Sequence, residues 1–315
     1  MSSRVHGRGF HSVYARGQLT LGIGFPIEAY SSPVPDMLDQ IALTQDAEQG
    51  GFAAVWSRDV PLLDPSFGDA GQIYDPWVWL GYVAAQTSDI ALATGSSILP
   101  LRRPVDTAKA AASIDQLTGG RLVMGVASGD RPVEYSVYEV DFESRDETFR
   151  NVFDFIRTAT HRPAGWDIQQ AAKSAQLTLL PKSYAGDLPL FVTGYSRQTM
   201  EWIAANADGW LMYPRPAVQQ RDVVNQWHNA LEAAQQEWKP FSQSLYIDLT
   251  TDPDTPPTPI HLGLRMGRNS LLTLLRELKA VGVNHVAFYL RFQQRPMKEV
   301  VAELCEYVVP EFPRL

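Results

Sequence analysis

The sequence predicts an α/β fold, a closed (β/α)8 barrel (TIM barrel) with insertions after strands 4 and 7. Three observations predict it: the chain has 315 residues, β-rich apolar runs alternate with segments of helical period, and eight of each can be counted. An open doubly wound sheet is the alternative. That fold normally has fewer strands, and its G-x-G-x-x-G signature is absent, because GIGFPIEAY holds only the first two glycines.

The elements follow from residue type and period. Each strand is a short run rich in β-branched and other apolar residues, and each helix repeats apolar residues at three- and four-residue spacing. The predicted strands are 19–25, 53–57, 90–96, 122–127, 190–194, 209–213, 244–250 and 285–290. The predicted helices are 35–49, 76–87, 104–117, 145–159, 197–207, 216–236, 269–281 and 297–308.

Two segments exceed ordinary barrel loops. Residues 160–189 precede strand five, and the Pro-rich stretch TDPDTPPTPIHLG at 251–263 follows strand seven. Neither resembles a linker between domains. We therefore expect one domain, 1–315, with residues 1–18 as an N-terminal extension.

Charge and composition narrow the class of ligand. Lys and Arg total 27 against 35 Asp and Glu, a net charge of -8, which argues against nucleic acid or an anionic membrane as partner. The single cysteine, Cys305, and the lack of a long apolar stretch predict a cytoplasmic protein without a membrane span. The histidines lack the spacing of a ligand pair, so no metal site is expected. His285 begins strand eight and is interpreted as structural. A small-molecule substrate is the expected partner.

Arginines concentrate in the loops at the carboxyl ends of the predicted strands, where barrel enzymes place their chemistry. An anionic ligand would suit such a basin. The residues with candidate roles are Arg58 and Asp59 for catalysis, with an ordinary ion pair as the alternative, and Arg102 and Arg291 for a substrate.

A polar cluster after strand five predicts a phosphate site. In VTGYSRQTMEWIAANADGW (192–210), Ser196 is placed to cap a helix, and free amides, two hydroxyls and a guanidinium follow the strand. A simple helix cap is the alternative. The loop after strand four, Ser128-Gly129-Asp130-Arg131, offers a similar set one strand away, so the two loops favour one shared phosphate. That loop can equally be only a turn.

Small residues end strand three. Gly95 and Ser96 leave room for a flat ring at the carboxyl end of this strand, although small residues can also serve simple packing.

The stretch LTGGRLVMGVASGDRPVEY (117–135) is not a P-loop, because it lacks the G-K-[ST] ending, so a nucleoside triphosphate is not expected.

Together these stretches resemble the luciferase-like monooxygenase family, over most of the chain. The resemblance is carried by 51–80, by ALATGSSILPLRRPVDTAKAAASIDQLTGGRLVMGVASGDRPVEY and by 192–210. It implies a homodimer that binds FMN, or alternatively the deazaflavin F420. It also implies a reaction of reduced flavin with O2, and a partner flavin reductase can supply the reduced flavin. It also implies a cis bond at Gly95-Ser96. The implied cofactor-binding residues are Gly95, Ser96, Ser128, Gly129, Arg131, Tyr195, Ser196, Arg197 and Thr199.

The chain departs from the family at two positions. Where many relatives have a histidine after strand two, this chain has Val60, and a luciferase cysteine corresponds to Ala127. Light emission is therefore not expected. Two other functions stay open: a flavin-binding protein without turnover, and an aldolase or hydrolase acting on a phosphorylated substrate. The latter predicts a lysine or a set of carboxylates at strand ends, and the sequence shows neither.

Overall fold

The computed structural model describes residues 4–64, 66, 67, 70–173 and 176–315. The strands are β1 (Thr20–Gly24), β2 (Ala54–Ser57), β3 (Ala91–Ile98), β4 (Leu122–Ala127), β5 (Leu190–Thr193), β6 (Gly209–Met212), β7 (Phe241–Leu249), β8 (Thr258–Ile260), β9 (Gly263–Met266) and β10 (His285–Tyr289). The helices are α1 (Arg8–Val13), α2 (Gln40–Gln49), α3 (Pro76–Gln86), α4 (Pro104–Leu117), α5 (Pro132–Val137), α6 (Arg145–Thr160), α7 (Ile168–Ala171), α8 (Met200–Asn206), α9 (Ala217–Ala233), α10 (Arg268–Ala280) and α11 (Met297–Glu303).

A parallel barrel closes through β10, which pairs with both β1 and β7. Strands β1 to β7 pair in sequence order between these two contacts. This closure confirms the predicted (β/α)8 barrel and excludes the open sheet. The chain from β4 to β5 and the β8/β9 hairpin after β7 form the two predicted insertions.

Several short elements were not predicted. They are α1, α5 and α7, which are six residues or fewer, and the two strands of the hairpin. The predicted helix 35–49 begins only at Gln40, because Met37 and Asp39 have positive φ of 59° and 53°. The predicted helix 297–308 changes to a π-helical turn at Leu304–Val308.

The core has two parts. The larger one fills the space between the strands and the surrounding helices, and a smaller one inside the barrel includes Trp56, Phe191 and Tyr289. Both are nearly inaccessible to solvent. The barrel therefore gives a rigid support to the loops at its carboxyl end.

The N-terminal segment closes the opposite end of the barrel. Tyr14 stacks on Phe191 with ring centroids 4.8 Å apart, and the Gly9 amide donates to the Gly120 carbonyl at 2.8 Å. Gly120 has a φ of 87° and lies so close to Gly7 that a Cβ on Gly7 would be 2.4 Å from its oxygen. The glycine pair of LTGGRL thus serves the base of the barrel.

Arg121 of the same motif ties this base together. It is buried and donates to the carbonyls of Ala84, Thr87 and Ile90 at 2.9 to 3.2 Å, as well as to the Thr87 hydroxyl. These contacts give Arg121, and with it the LTGGRL motif, a structural role.

Among the described helices, none has the length and apolar character that crossing a membrane requires.

Candidate active site

A cavity of about 640 Å³ opens at the carboxyl end of the barrel. Its volume lies in the range of about 300–1,000 Å³ that small-molecule and cofactor sites occupy. The predicted site residues that line it are Arg58, Asp59, Gly95, Ser96, Ser128, Gly129, Arg131, Tyr195, Ser196 and Arg291. Arg102, Arg197 and Thr199 are not among its described lining residues.

The floor of the cavity is built from β2 and β3. The Gly95-Ser96 peptide bond is cis, as the family resemblance implied. A Cβ on Gly95 would lie 3.1 Å from Cε3 of the buried Trp56. The Ser96 hydroxyl shares a short hydrogen bond with the Thr193 hydroxyl of β5, which fixes this edge of the floor.

A buried chain of hydrogen bonds supports Trp56 from below. Trp56 Nε1 donates to His285 Nε2 at 2.9 Å, and His285 Nδ1 is 2.8 Å from the Thr20 hydroxyl, which donates to Val13 O at 2.8 Å. Burial lowers the pKa of His285 to about 3. The imidazole is therefore neutral and holds the tryptophan in place, in agreement with the structural role that the sequence suggested.

The loops after β4 and β5 meet at one corner of the cavity. The Ser128 amide donates to Ser196 Oγ at 3.3 Å, and Ser196 Oγ donates to the Thr193 carbonyl at 2.8 Å. The two loops are therefore neighbours, as the sequence predicted. The hydroxyl of Ser196, however, is used to join them.

The helix after β5 differs from the prediction. It begins at Met200 rather than at 197, and its cap is Thr199, whose side chain accepts from the Trp202 amide at 3.2 Å. Ser196 as helix cap is therefore wrong. Ser196 and Arg197 have φ of 44° and 57°, outside the helical range. The polar groups at this corner belong to a loop.

That loop is anchored from α6. Gln198 is buried, accepts a short hydrogen bond from Arg150 Nε, and donates to the carbonyls of Asp146 and Ser196 at 3.1 Å each. The sequence did not single out Gln198 in this role, because Asp146 and Arg150, the partners on α6, lie about fifty residues away. The anchor holds the loop conformation in place.

Unused donors remain at the corner between the two loops. The Ser128 hydroxyl and the amides of Ser196 and Arg197 make no hydrogen bond to any residue that the structure describes. Gly194 has a φ of 54° and no atom within 4 Å of a Cβ placed on it. An open corner with such donors fits an oxyanion group.

The β2–β3 side of the cavity carries an ion-pair network. Asp59 accepts two hydrogen bonds from Arg102 at 2.8 Å and one from the Ile98 amide at 3.1 Å. Arg102 also bonds to Asp75, the cap of α3, at 2.9 Å. Burial lowers the pKa of Arg102, but Asp59 and Asp75 outweigh it and raise that pKa overall.

This network bears on two of the predicted site residues. The ordinary ion pair proposed as the alternative for Asp59 is present, but with Arg102 as its partner. Arg102 bridges Asp59 and Asp75 and is not among the described lining residues of the cavity. Its contact with a substrate stays a prediction.

A second pair, Arg131 and Glu134, lies at the start of α5. Arg131 Nη1 is 3.5 Å from Glu134 Oε1, and its guanidinium lies 4.4 Å from the centre of the Phe67 ring. Glu134 is buried, and burial raises its pKa against the opposing effect of Arg131. The sequence did not single out Glu134, because the local pattern does not show that this carboxylate is buried.

Another part of the cavity lining is aromatic. It is formed by Tyr246 of β7, Tyr289 of β10, Tyr213, which directly follows β6, and the turn residues His261 and Leu262 of the β8/β9 hairpin, and we call it the aromatic wall. The sequence placed His261 in a Pro-rich loop and gave it no role, because nothing in the local pattern shows that the hairpin folds back over the cavity.

Two residues that depart from the family pattern also line the cavity, Val60 and Ala127. Neither can carry a proton. Across the described part of the chain, no group of three or more His, Cys, Asp or Glu side chains could hold a metal ion.

Comparison with known sequences identifies relatives. Residues 20–254 match the model of the luciferase-like monooxygenases. An uncharacterized protein of Mycobacterium tuberculosis is 30% identical over 185 residues, which cover 54% of this chain and 65% of that protein. The alkanal monooxygenase alpha chain of Photorhabdus luminescens is 25% identical over 165 residues, covering 52% of this chain and 44% of that one. The matches therefore span less than two thirds of these relatives.

Solved structures share the fold. A coenzyme F420-dependent tetrahydromethanopterin reductase from Methanopyrus kandleri superposes with a TM-score of 0.72 at 15% identity, covering 94% of this chain and 99% of that one. Riboflavin lyase, solved with modified FMN and riboflavin, gives 0.73 at 14% identity, covering 93% and 91%. At this identity the likeness concerns the barrel alone.

Proposed function

The chain belongs to the luciferase-like monooxygenase family, and from that membership we propose that it is an FMN-dependent oxidoreductase. The specific activity we propose is a monooxygenase that acts on a small organic substrate with reduced flavin and O2. The alkanal monooxygenase relative supports oxygen chemistry over other uses of a flavin.

The observation that carries this proposal is the donor set where the loops after β4 and β5 meet. The Ser128 hydroxyl and the Ser196 and Arg197 amides have no partner among the described residues. Ser128 and Ser196 line the cavity, and the Arg197 amide follows directly in the same loop. Donors of this kind suit the oxygens of one phosphate. Arg131, on the same loop as Ser128, adds positive charge to the cavity lining.

The ring of the cofactor would lie on the floor formed by Gly95 and Ser96. Trp56 supports this floor, and the neutral His285 supports Trp56. Val60 and Ala127 add apolar surface to the lining. A flat, largely apolar support of this kind suits an aromatic ring system.

Bound FMN supplies the electron-transfer chemistry. The protein's own residues would bind the phosphate at the loops after β4 and β5, support the ring at the end of β3 and limit access of water. Asp59 maintains the shape of the mouth, because its bonds to Arg102 and Ile98 tie the loop after β2 to the end of β3. Arg58 contributes positive charge to the lining.

Replacement of Ser128 by Ala tests the phosphate assignment. We expect the dissociation constant for FMN to rise about tenfold, since one hydrogen bond to a charged group is lost. Binding of riboflavin, which lacks the phosphate, should not change. Both are measured by quenching of flavin fluorescence on titration with protein.

Ser136→Ala is the matched control, because Ser136 is exposed on α5 and absent from the cavity lining. It should leave both affinities unchanged. If Ser128→Ala weakens FMN and riboflavin equally, or weakens neither, the phosphate does not bind at this corner. Ser196→Ala keeps the amide donor but removes the hydroxyl that joins the two loops. It should therefore weaken FMN binding only by loosening the contact between the loops.

Thr199→Ala addresses a residue whose cofactor role stays a prediction. If Thr199 only caps α8, the variant should lose about 1 kcal/mol of stability and keep its FMN affinity. If it also contacts the phosphate, both quantities fall. Thermal unfolding and the same fluorescence titration distinguish these results.

An F420-dependent dehydrogenase or reductase is the second candidate, which the F420-dependent neighbour favours through its fold. Parallel titrations with oxidised FMN, reduced FMN and F420 separate the two. Consumption of O2 with reduced flavin then separates a monooxygenase from a flavin-binding protein without turnover. We also propose a homodimer, with a flavin reductase as supplier of reduced FMN; molar mass in solution tests the first point.

A further inference from the structure

We propose that the aromatic wall is the site for a planar phenolic substrate, and that His261 accepts the proton of the phenol hydroxyl while Arg291 stabilises the phenolate. This assignment names a substrate class for the proposed oxidoreductase. It rests on that proposed function, because the phenol would be the substrate of the flavin-dependent reaction. The proton passes from the phenol oxygen to a ring nitrogen of His261, which gives a phenolate and an imidazolium ion and requires no oxidant.

The position of His261 is set by the β8/β9 hairpin, which is held against the barrel. Strand β9 pairs with β7, with Gly263 opposite Tyr246. The Tyr246 amide donates to the Leu262 carbonyl at 3.1 Å. A Cβ on Gly263 would be 1.8 Å from the backbone carbonyl oxygen of Tyr246, so only glycine allows the two backbones to come this close. The turn that carries His261 therefore has a defined place at the cavity.

The surfaces around His261 are suited to an aromatic ring. Tyr246 and Tyr289 stack with centroids 5.3 Å apart and planes at 30°. The His261 ring lies 6.2 Å from both Tyr246 and Phe292, edge-on to the latter. Such clusters gain energy from further aromatic contacts in offset or edge-to-face geometry. A planar substrate would extend this cluster.

Arg291 provides the charge for an anionic oxygen. Its guanidinium lies 4.7 Å from the centre of the Tyr30 ring and 5.6 Å from that of Phe292, and the residue lines the cavity. Two cation–π contacts hold the group beside the aromatic wall. The phenols of Tyr213, Tyr246 and Tyr289 are further titratable groups of the aromatic wall.

The cavity lining also contains three carboxylates. Asp59 is on the loop after β2 and is paired with Arg102, and Asp130 and Glu134 follow β4. Burial raises the pKa of Tyr213, as does the nearby Asp130, whereas Arg58 lowers it. Both Asp130 and Arg58 therefore act on a residue of the aromatic wall.

His261 also supplies what the loop after β2 lacks. Val60 lines the cavity there and cannot accept a proton, whereas His261 is the only histidine among the described lining residues. Imidazole is the side chain that commonly exchanges protons near neutral pH. The hairpin thus brings a proton acceptor to the cavity from a different strand.

The probe for this proposal is 4-nitrophenol, whose visible absorption band reports its ionised form. We expect it to bind the full-length protein and to ionise at lower pH when bound than in buffer. His261→Gln and Arg291→Gln should each weaken binding of the phenolate about tenfold, the effect of one hydrogen bond or ion pair to a charged group. Tyr246→Leu should weaken binding of both the phenol and its methyl ether, 4-nitroanisole.

Three controls make the result specific. His11→Gln changes an exposed histidine on α1 and should have no effect. His261→Gln should weaken binding of 4-nitroanisole less than binding of the phenolate, because the ether loses only a ring contact and has no hydroxyl proton to transfer. Circular dichroism shows whether each variant keeps its fold, which we expect for His261→Gln because the side chain is exposed.

The proposal is overturned if 4-nitrophenol does not bind, if it ionises at the same pH in the wild type and in His261→Gln, or if saturating FMN displaces it. Failure of the proposed function gives a different pattern. In that case flavin fails to bind, while the phenol still binds and still depends on His261.

Discussion

Lowering the pH from about 6.5 to about 3 is expected to remove roughly 4 kcal/mol of the free energy of unfolding through His285 alone. His285 is fully buried and neutral between Trp56 and Thr20. Its pKa falls from 6.5 to about 3 in the folded protein, because burial disfavours the charged ring. Loss of this stability would disturb the floor of the candidate active site as well.

The sign of the effect follows from proton binding. Between the two pKa values the unfolded chain binds the proton and the folded chain does not, so stability rises with pH across this range. The contribution is complete above about pH 6.5 and disappears as the pH falls towards 3. Urea unfolding at closely spaced pH values measures it.

His285→Gln isolates this effect, since glutamine does not titrate. The variant should be less stable at neutral pH but should show a shallower loss between about pH 6.5 and pH 3. His11→Gln, at an exposed position, should keep the wild-type profile. If the free energy of unfolding falls with pH equally steeply in wild type and His285→Gln, His285 is not the source of the pH dependence.

Replacement of Asp208 by Asn is expected to cost about 3–5 kcal/mol of stability, the usual loss when one partner of a buried ion pair is removed. Asp208 is buried and bonds to Arg4 and Arg157 at 2.7 Å each and to the Leu190 amide at 2.8 Å. Burial raises its pKa, but Arg157, His6 and Arg4 outweigh this and hold that pKa well below its usual range.

Asp89→Asn is the control for Asp208→Asn. Asp89 pairs with Arg8 at 3.2 Å, with about half of each side chain exposed, so its loss should cost less than about 1 kcal/mol. Denaturation by urea at neutral pH gives both values. A cost for Asp208→Asn no greater than that for Asp89→Asn would show that the buried cluster does not stabilise the junction of β5 and β6.

The fold was largely predictable because strand and helix periods are local properties of the chain. The predicted strand 122–127 and helix 104–117 have the same bounds in the structure. The prediction failed where local backbone conformation overrides period. Because Asp39 has a positive φ, α2 begins later in the chain than predicted, and positive φ at Ser196 and Arg197 has the same effect on α8.

The candidate site was predictable to the extent that it follows from the barrel. Strand ends converge, so the loops after β4 and β5 had to be neighbours, and Ser128 does contact Ser196. Which polar atom contacts which partner was not predictable. The pairing of Asp59 with Arg102 joins residues 43 positions apart, and the sequence alone gave no reason to prefer it over a pair with Arg58.

The sequence by itself determined the closed barrel, the end at which its cavity lies and the family, because these depend on periodicity, strand count and short motifs. Only the tertiary structure decided the use of individual side chains: Ser196 joins two loops, Thr199 caps a helix, and Arg102 bridges Asp59 and Asp75. It also brought His261 from the insertion after β7 to the cavity. The physical reason is that hydrogen bonds and packing join residues that are distant in the chain, whereas local patterns report only the conformation of neighbours.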